Sequence, residues 1–183
     1  MTLLKEPWTS TCALLVMPGG ADLGYSRVLN GRGNQIISQY VRTGGRYLGL
    51  CAGGYFGSKK CEFAAGNKSL EVIGSRELSF FPGTCRGPVF KEFEYHSERG
   101  ARASRLRINH EALPLSKRLD ETLSCYCNGG GAFVDASTMM NEGVEVLANY
   151  EDDVPFDTGA GKAAIVYCKI GKGSVILTGP HPE

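Results

Sequence analysis

The stretch Arg46-Tyr-Leu-Gly-Leu-Cys-Ala-Gly-Gly-Tyr-Phe-Gly57 constrains this chain more than any other. A short apolar run, Tyr47 to Leu50, meets a cysteine with glycines at 49, 53, 54 and 57. The core reads Gly49-x-Cys51-x-Gly53, the spacing of a nucleophile elbow with cysteine in place of serine. A sharp strand-to-helix turn holds the nucleophile in a strained backbone conformation. The residues two before and two after it then approach too closely to carry side chains. The helix that follows points its first N–H groups at the sulfur, which favours thiolate over thiol and offers donors to a developing oxyanion. Five positions alone are a weak pattern in a chain with 25 glycines.

The far end strengthens the reading. Val175-Ile-Leu-Thr-Gly-Pro-His-Pro-Glu183 is a β-branched strand that stops at a glycine, and His181-Pro-Glu183 follows. The intervening proline excludes helix, so His181 and Glu183 sit two apart on extended backbone. A histidine oriented by a carboxylate beside a thiol is the nucleophile, base and orienter logic of a cysteine hydrolase. Cys51, His181 and Glu183 are therefore the expected catalytic residues.

Three pieces in order, Met17-Pro-Gly-Gly-Ala-Asp22, Gly49-Leu-Cys-Ala-Gly-Gly54 and Gly179-Pro-His-Pro-Glu183, resemble class I glutamine amidotransferase domains. The segments Gly74-Ser-Arg-Glu-Leu78, Phe80-Phe-Pro-Gly-Thr84, Arg86-Gly-Pro88, Gly100-Ala-Arg102 and Asn128-Gly-Gly130 are similar to the amidotransferase-like N-terminal region of fungal biotin–protein ligases. The resemblance implies an α/β fold in three layers, a mostly parallel sheet flanked by helices with an added β-hairpin region. It implies that backbone N–H groups of Gly19, Gly20 and Ala52 form the oxyanion hole, and that Tyr55 lines the pocket. Glutamine-specific relatives place a His-Gln pair in the stretch that reads Gly54-Tyr55-Phe56 here, which leaves the substrate open. Such domains normally begin with a strand and helix ahead of the Pro-Gly-Gly strand. Only 11 residues precede Cys12, so that first βα unit is expected to be missing. The chain is expected to be one domain over 1–183, a fragment of a longer protein, with an open sheet edge inviting a homo-oligomer.

Two functions stay open on the sequence. One is a regulatory amidotransferase-like module joined to a ligase. The other is a stand-alone cysteine amidase or glutaminase-type hydrolase working through an acyl-thioester at Cys51. The expected partners are a small amide or metabolite in the pocket and, in a full-length protein, a ligase catalytic domain in cis. No cofactor is expected in this chain; biotin and ATP would belong to the full ligase, and no signature for either is present. Gly31-Arg-Gly-Asn34 lacks the longer motif of a biotin loop, and Gly161-Lys162-Ala163 lacks the Ser/Thr and upstream glycine of a P-loop.

Composition narrows the classes. Apolar content of 42% and charged content of 21% suit a globular domain. A net charge of +1 supplies no field for nucleic acid or an anionic membrane. The longest apolar runs, Ala13 to Met17 and Val175 to Leu177, cannot span a bilayer, and residues 1–11 hold no apolar signal core. Seven cysteines, an odd number without a scaffold pattern, read as reduced thiols in a cytoplasmic protein. Cys125-Tyr-Cys127 has no second pair nearby, so no metal is expected.

Along the chain, Cys12–Met17 reads as a buried strand stopped by Pro18-Gly-Gly20. Residues 24–33 read as a polar loop, 35–41 as a helix and 52–59 as a second, short helix. The segment 80–88 reads as loop, 89–95 as a strand, and 99–107 as a strand whose arginines face solvent. Glu111 to Glu121 reads as an insertion loop. Leu123–Asn128 is a strand whose glycine-rich end places Asn128 and Gly129 in the pocket wall. Val144–Tyr150 is a strand, and 163–178 a hairpin around Gly171-Lys-Gly173 that delivers His181 and Glu183.

Overall fold

The computed structural model describes residues 2–112 and 120–183. It is a mixed α/β fold, a curled sheet flanked by few helices. In chain order the elements are α1 (Thr2–Lys5), β1 (Leu15–Met17), α2 (Asp22–Leu29), α3 (Arg32–Arg42), β2 (Arg46–Leu50), α4 (Ala52–Gly57), β3 (Ser58–Phe63), β4 (Val72–Ser75), β5 (Phe81–Gly87), β6 (Arg102–Ile108), β7 (Thr122–Cys127), β8 (Ala132–Phe133), β9 (Val144–Tyr150), β10 (Ala163–Ile170) and β11 (Gly173–Thr178). The main path of the sheet runs β1-β2-β11-β10-β8-β5-β3-β4, with β9 on β10 and the β6–β7 hairpin on β9.

The site is positioned by three neighbouring strands. β1 pairs parallel with β2, Met17 opposite Gly49, and β2 pairs parallel with β11, Leu50 opposite Thr178. All three therefore end at one rim, the carboxyl side where open α/β sheets gather function. A third parallel pair joins β3 to β5. Around this frame the pairings of β4, β6–β7, β8, β9 and β10 are antiparallel, a larger addition than the single hairpin region foreseen.

The helices form for local reasons. α3 buries Gly33, Ile37, Tyr40 and Val41 on one stripe and is otherwise polar. Gly45 leads into β2 at a point where the Tyr40 ring leaves no room for a Cβ. Tyr47, Val175 and Leu177 share a core with Ile37, Val41 and Phe56. The opposite face shows Val16 and Ile176 to solvent, in register with Leu48, and β1 is the edge strand.

Several expected elements are in place. β9 matches its expected bounds, the β10–β11 hairpin turns at Gly171 (φ +59°), and β6 exposes Arg102, Arg105 and Arg107 while burying Ser104 and Leu106. Others differ. Residues 22–29 form α2 rather than a loop, because Asp22, Tyr25 and Leu29 recur at helical spacing and turn inward. The segment 81–87 is a strand rather than a loop. Phe81, Cys85 and Gly87 alternate inward, and Pro82 and Gly83 are accommodated within it. Residues 89–95 are not a strand; Val89 and Phe90 are buried in the second core cluster while the chain turns. The helix after Cys51 ends at Gly57 and gives way to β3. Part of the expected insertion loop, 113–119, lies outside the described residues.

Candidate active site

Cys51 stands between β2 and α4 with φ +47° and ψ −101°, a conformation that side chains other than glycine rarely adopt. The flanking glycines explain how the turn closes. A Cβ on Gly49 would lie 2.5 Å from the Gly53 carbonyl oxygen, and a Cβ on Gly53 would collide with the carbonyl of Met17. Gly54 packs against the Thr178 carbonyl at the end of β11, 2.8 Å from where its Cβ would be. The Cys51 N–H donates to the same Thr178 oxygen at 2.8 Å, and Gly53 N–H donates to Pro18 at 3.2 Å. The elbow is thus sewn to the ends of both neighbouring strands.

Gly19 and Gly20 follow β1. A Cβ on Gly19 would lie 2.5 Å from His181 Cε1, so the glycine lets the Cε1 edge of the imidazole come up against the loop. Gly20 has φ +129°. The Tyr25 hydroxyl of α2 reaches the carbonyl oxygens of Pro18 at 2.9 Å and Gly19 at 3.1 Å. In a trans peptide the N–H points opposite to the preceding C=O, so this anchor turns the N–H groups of Gly19 and Gly20 away from Tyr25. Among the described residues no hydrogen bond engages either N–H. Burial, then the nearby Cys51 and Asp22, push the Tyr25 phenol up and keep it a donor.

His181 follows β11. Its N–H donates to the Tyr126 carbonyl at 2.7 Å, and the Tyr126 ring meets the imidazole edge-on at 5.7 Å. Nδ1 lies 2.9 Å from a Glu183 carboxylate oxygen. Burial pulls the Glu183 carboxyl up, but its bonds to His181 and to a backbone N–H outweigh this and hold it below the usual carboxylate range. Nε2 is the nitrogen left to face the cavity.

The thiol is not pre-ionised. Burial pushes Cys51 up to about 12, Cys127 adds to this, and a hydrogen bond from the Ala52 N–H opposes it. The expected preference for thiolate is therefore not met in the free protein. The six-residue α4 supplies one N–H to the sulfur, which is less than desolvation takes away. The thiol donates to the Asn128 carbonyl at 3.7 Å; among the described residues no hydrogen bond joins Cys51 to His181.

Cys51 and His181 open onto one cavity of about 770 Å³. Asn128, Gly129 and Tyr55 border it as well. The Tyr55 hydroxyl donates to Gly129 at 3.2 Å, and Asn128 Nδ2 donates to the Ser97 carbonyl at 3.2 Å. The far wall was not foreseen. It consists of Phe63, Leu70, Val72, Phe93 and Tyr95, with Asp22 at its edge. Asp22 is paired at 2.6 Å with Arg76, both nearly buried. The alternation Phe93-Glu-Tyr95 was the one local hint of this wall, and it reads equally well as a strand. No group of three or more His, Cys, Asp or Glu able to hold a metal exists among the described residues. Nor is any helix among them long and apolar enough to cross a membrane.

Comparison with known proteins gives a consistent result. A family model described as biotin-protein ligase, N terminal, matches residues 1–183. A biotin–protein ligase of Schizosaccharomyces pombe is 46% identical over 183 residues, covering 100% of this chain and 27% of that protein. An uncharacterized protein of Chlamydia muridarum is 40% identical, covering 99% of this chain and 64% of its own length. The chain thus spans about a quarter of the fungal relative and under two thirds of the chlamydial one. Among solved structures, a glutamine amidotransferase superposes with TM-score 0.58 at 19% identity, covering 93% of this chain and 70% of that one. PurLQS from Thermotoga maritima gives 0.56 at 15%, covering 93% and 68%. At such identities these two speak for the fold alone.

Proposed function

This chain belongs to the biotin–protein ligase N-terminal family, and from that premise we propose that it is an amidotransferase-like module whose Cys51, His181 and Glu183 cleave an amide. Biotin ligation, in a protein that carries it, would lie in a separate catalytic region. The observation that carries the reading is the convergence of three strand ends. The Gly19-Gly20 loop after β1, Cys51 after β2 and His181 after β11 meet at one rim of three adjacent parallel strands.

The reaction follows from these groups. His181 Nε2 takes the thiol proton as Cys51 Sγ attacks the amide carbon, and Glu183 holds Nδ1–H so that the other nitrogen is the base. The carbonyl oxygen becomes an oxyanion facing the N–H groups of Ala52 and Gly20, each donor worth about 3 kcal/mol in comparable sites. The C–N bond breaks, and the amine leaves with the proton from His181. The acyl-thioester on Cys51 is then attacked by water, whose proton passes to His181. The carboxylic acid departs and the thiol is restored. With the thiol raised to about 12, proton transfer to His181 must accompany attack rather than precede it.

A second reading has its own observation. Burial pushes the thiol up and it donates to the Asn128 carbonyl, as suits a pocket that senses a metabolite for an attached ligase without turnover. Alkylation by iodoacetamide across pH, mapped over all seven cysteines with and without an amide in the pocket, separates the two. Amide cleavage expects Cys51 to form an acyl adduct with amide and to be shielded from alkylation. Ligand-dependent shielding without any adduct would favour sensing.

A further inference from the structure

The cavity is built for more than a small hydrophilic amide. At about 770 Å³ it falls within the range of sites that enclose drug-sized ligands. Its walls are chemically divided. Polar chemistry gathers at the rim of the three strand ends, while an apolar track leads away from it. Tyr55 stands one helical turn after Cys51, with its ring 5.7 Å from that of Phe63. Phe63 in turn lies 5.3 Å from Phe93 and 6.2 Å from Tyr95, and Phe93 and Tyr95 lie 4.9 Å apart. Leu70 and Val72 complete the wall, half-buried like Phe93 and Tyr95. Aromatic faces and edges of this kind take apolar or aromatic groups well.

The charged groups point the same way. Asp22 is already paired with Arg76, and Glu71 accepts the Gly66 N–H at 2.7 Å. Glu94 lies 4.0 Å from Arg99, which leaves Glu71 and the exposed Arg27 as the cavity's remaining charged groups. A free amino acid brings both an ammonium and a carboxylate, and against the apolar track these would lose water without gaining new partners. A neutral arm meets no such penalty.

Resting on the amide-cleaving reading of the same site, we propose that the substrate's acyl half is an uncharged apolar or aromatic arm, longer than the side chain of glutamine. It lies from Cys51 along Tyr55, Phe63, Phe93 and Tyr95. Each methylene buried on this track tightens binding about fourfold, so an arm of a few carbons or a phenyl ring outweighs a polar head of the same length.

The test separates binding from turnover. The Cys51→Ala protein is titrated calorimetrically with 3-phenylpropionamide, hexanamide, acetamide and L-glutamine. The expected result is that the first two bind at least tenfold more tightly than acetamide, with glutamine no better than acetamide. Phe93→Ala and, separately, Leu70→Asp in the same background should each weaken 3-phenylpropionamide about tenfold while the melting curve stays cooperative. Two different wall positions guard against one variant failing to fold. Glutamine binding more tightly than 3-phenylpropionamide, or no saturable binding by any of the four, would overturn the proposal. Apolar amides that bind Cys51→Ala but leave no acyl adduct on the unmodified protein would sink the amide-cleaving reading and leave the apolar track intact.

Discussion

Two regions of this molecule face each other across the cavity and obey different rules. On one side, β1, β2 and β11 end together, and the contacts that hold the turn at Cys51 are made by backbone atoms. Glycines stand where carbonyls crowd, and N–H groups bond across neighbouring strand ends. On the other side, the wall from Phe63 to Tyr95 is made of side chains from segments far apart in the chain, held by ring packing and a buried ion pair. The first region holds the residues of the proposed chemistry, and its glycines stand where a Cβ would meet backbone carbonyls. The second shapes what enters and is set by packing that other residues of similar size could supply. The two regions can therefore be perturbed separately.

The sharpest way to break that contrast is Gly53→Ala. Its methyl would overlap the Met17 carbonyl, a backbone atom that cannot rotate away. The expected cost is about 3 kcal/mol or more, seen as a collapse of the thermal transition. A Gly53→Ala protein that melts like the parent would show that the elbow is not held as described.

Next in size is Arg76→Met, which leaves Asp22 buried without its partner. Removing one member of a buried pair costs about 3–5 kcal/mol. The paired change Asp22→Leu with Arg76→Met should recover most of it, because two neutral groups replace two buried charges. Failure of the double variant to recover would assign Arg76 a role beyond pairing.

The protein should also lose stability in alkali. Cys51, Cys61, Cys127 and Cys168 are each pushed by burial from an ordinary value of 9.0 up to about 12. Between those values the unfolded chain gives up these protons while the folded one keeps them, so unfolding gains as pH rises. The stabilisation is whole below pH 9 and is lost progressively towards pH 12. Melting temperature should hold up to about pH 9 and then fall steeply; a flat profile to pH 11 would contradict the burial of these thiols.

Tyr25→Phe sharpens the contrast most finely. It removes the hydroxyl that anchors Pro18 and Gly19 and should cost about 1 kcal/mol of stability. Acylation of Cys51 should slow about tenfold with amide affinity unchanged, the pattern of a residue that positions the oxyanion donors. A matching loss of affinity would instead make Tyr25 part of the binding wall.

The same division explains what the sequence discloses. The strand-to-helix turn at Cys51 is legible because its rule is local: Gly49 and Gly53 stand where a Cβ would meet backbone carbonyls. The β10–β11 hairpin and the His181-Pro-Glu183 segment are legible for the same reason. Helix α2 is missed because Gly24 and Ser26 mask the inward residues Asp22, Tyr25 and Leu29. β5 is missed because Pro82 and Gly83 signal a turn, yet pairing with β3 and β8 overrides them. The wall is missed because Phe93 and Tyr95 acquire their meaning from Phe63, 30 positions away in the chain. The thiol's high pKa is missed because it comes from enclosure, which no local spacing records.

The central claim is that three strand ends assemble one working site, and trapping an acyl-enzyme tests it most directly. The protein is incubated at neutral pH with 3-phenylpropionyl 4-nitroanilide, quenched in acid, digested and mapped by mass spectrometry, beside His181→Ala. The account predicts a phenylpropionyl adduct on the Cys51 peptide, with adduct formation slowed at least 100-fold in His181→Ala while the fold is retained. No adduct, or adducts spread over the other cysteines and indifferent to His181, would contradict it.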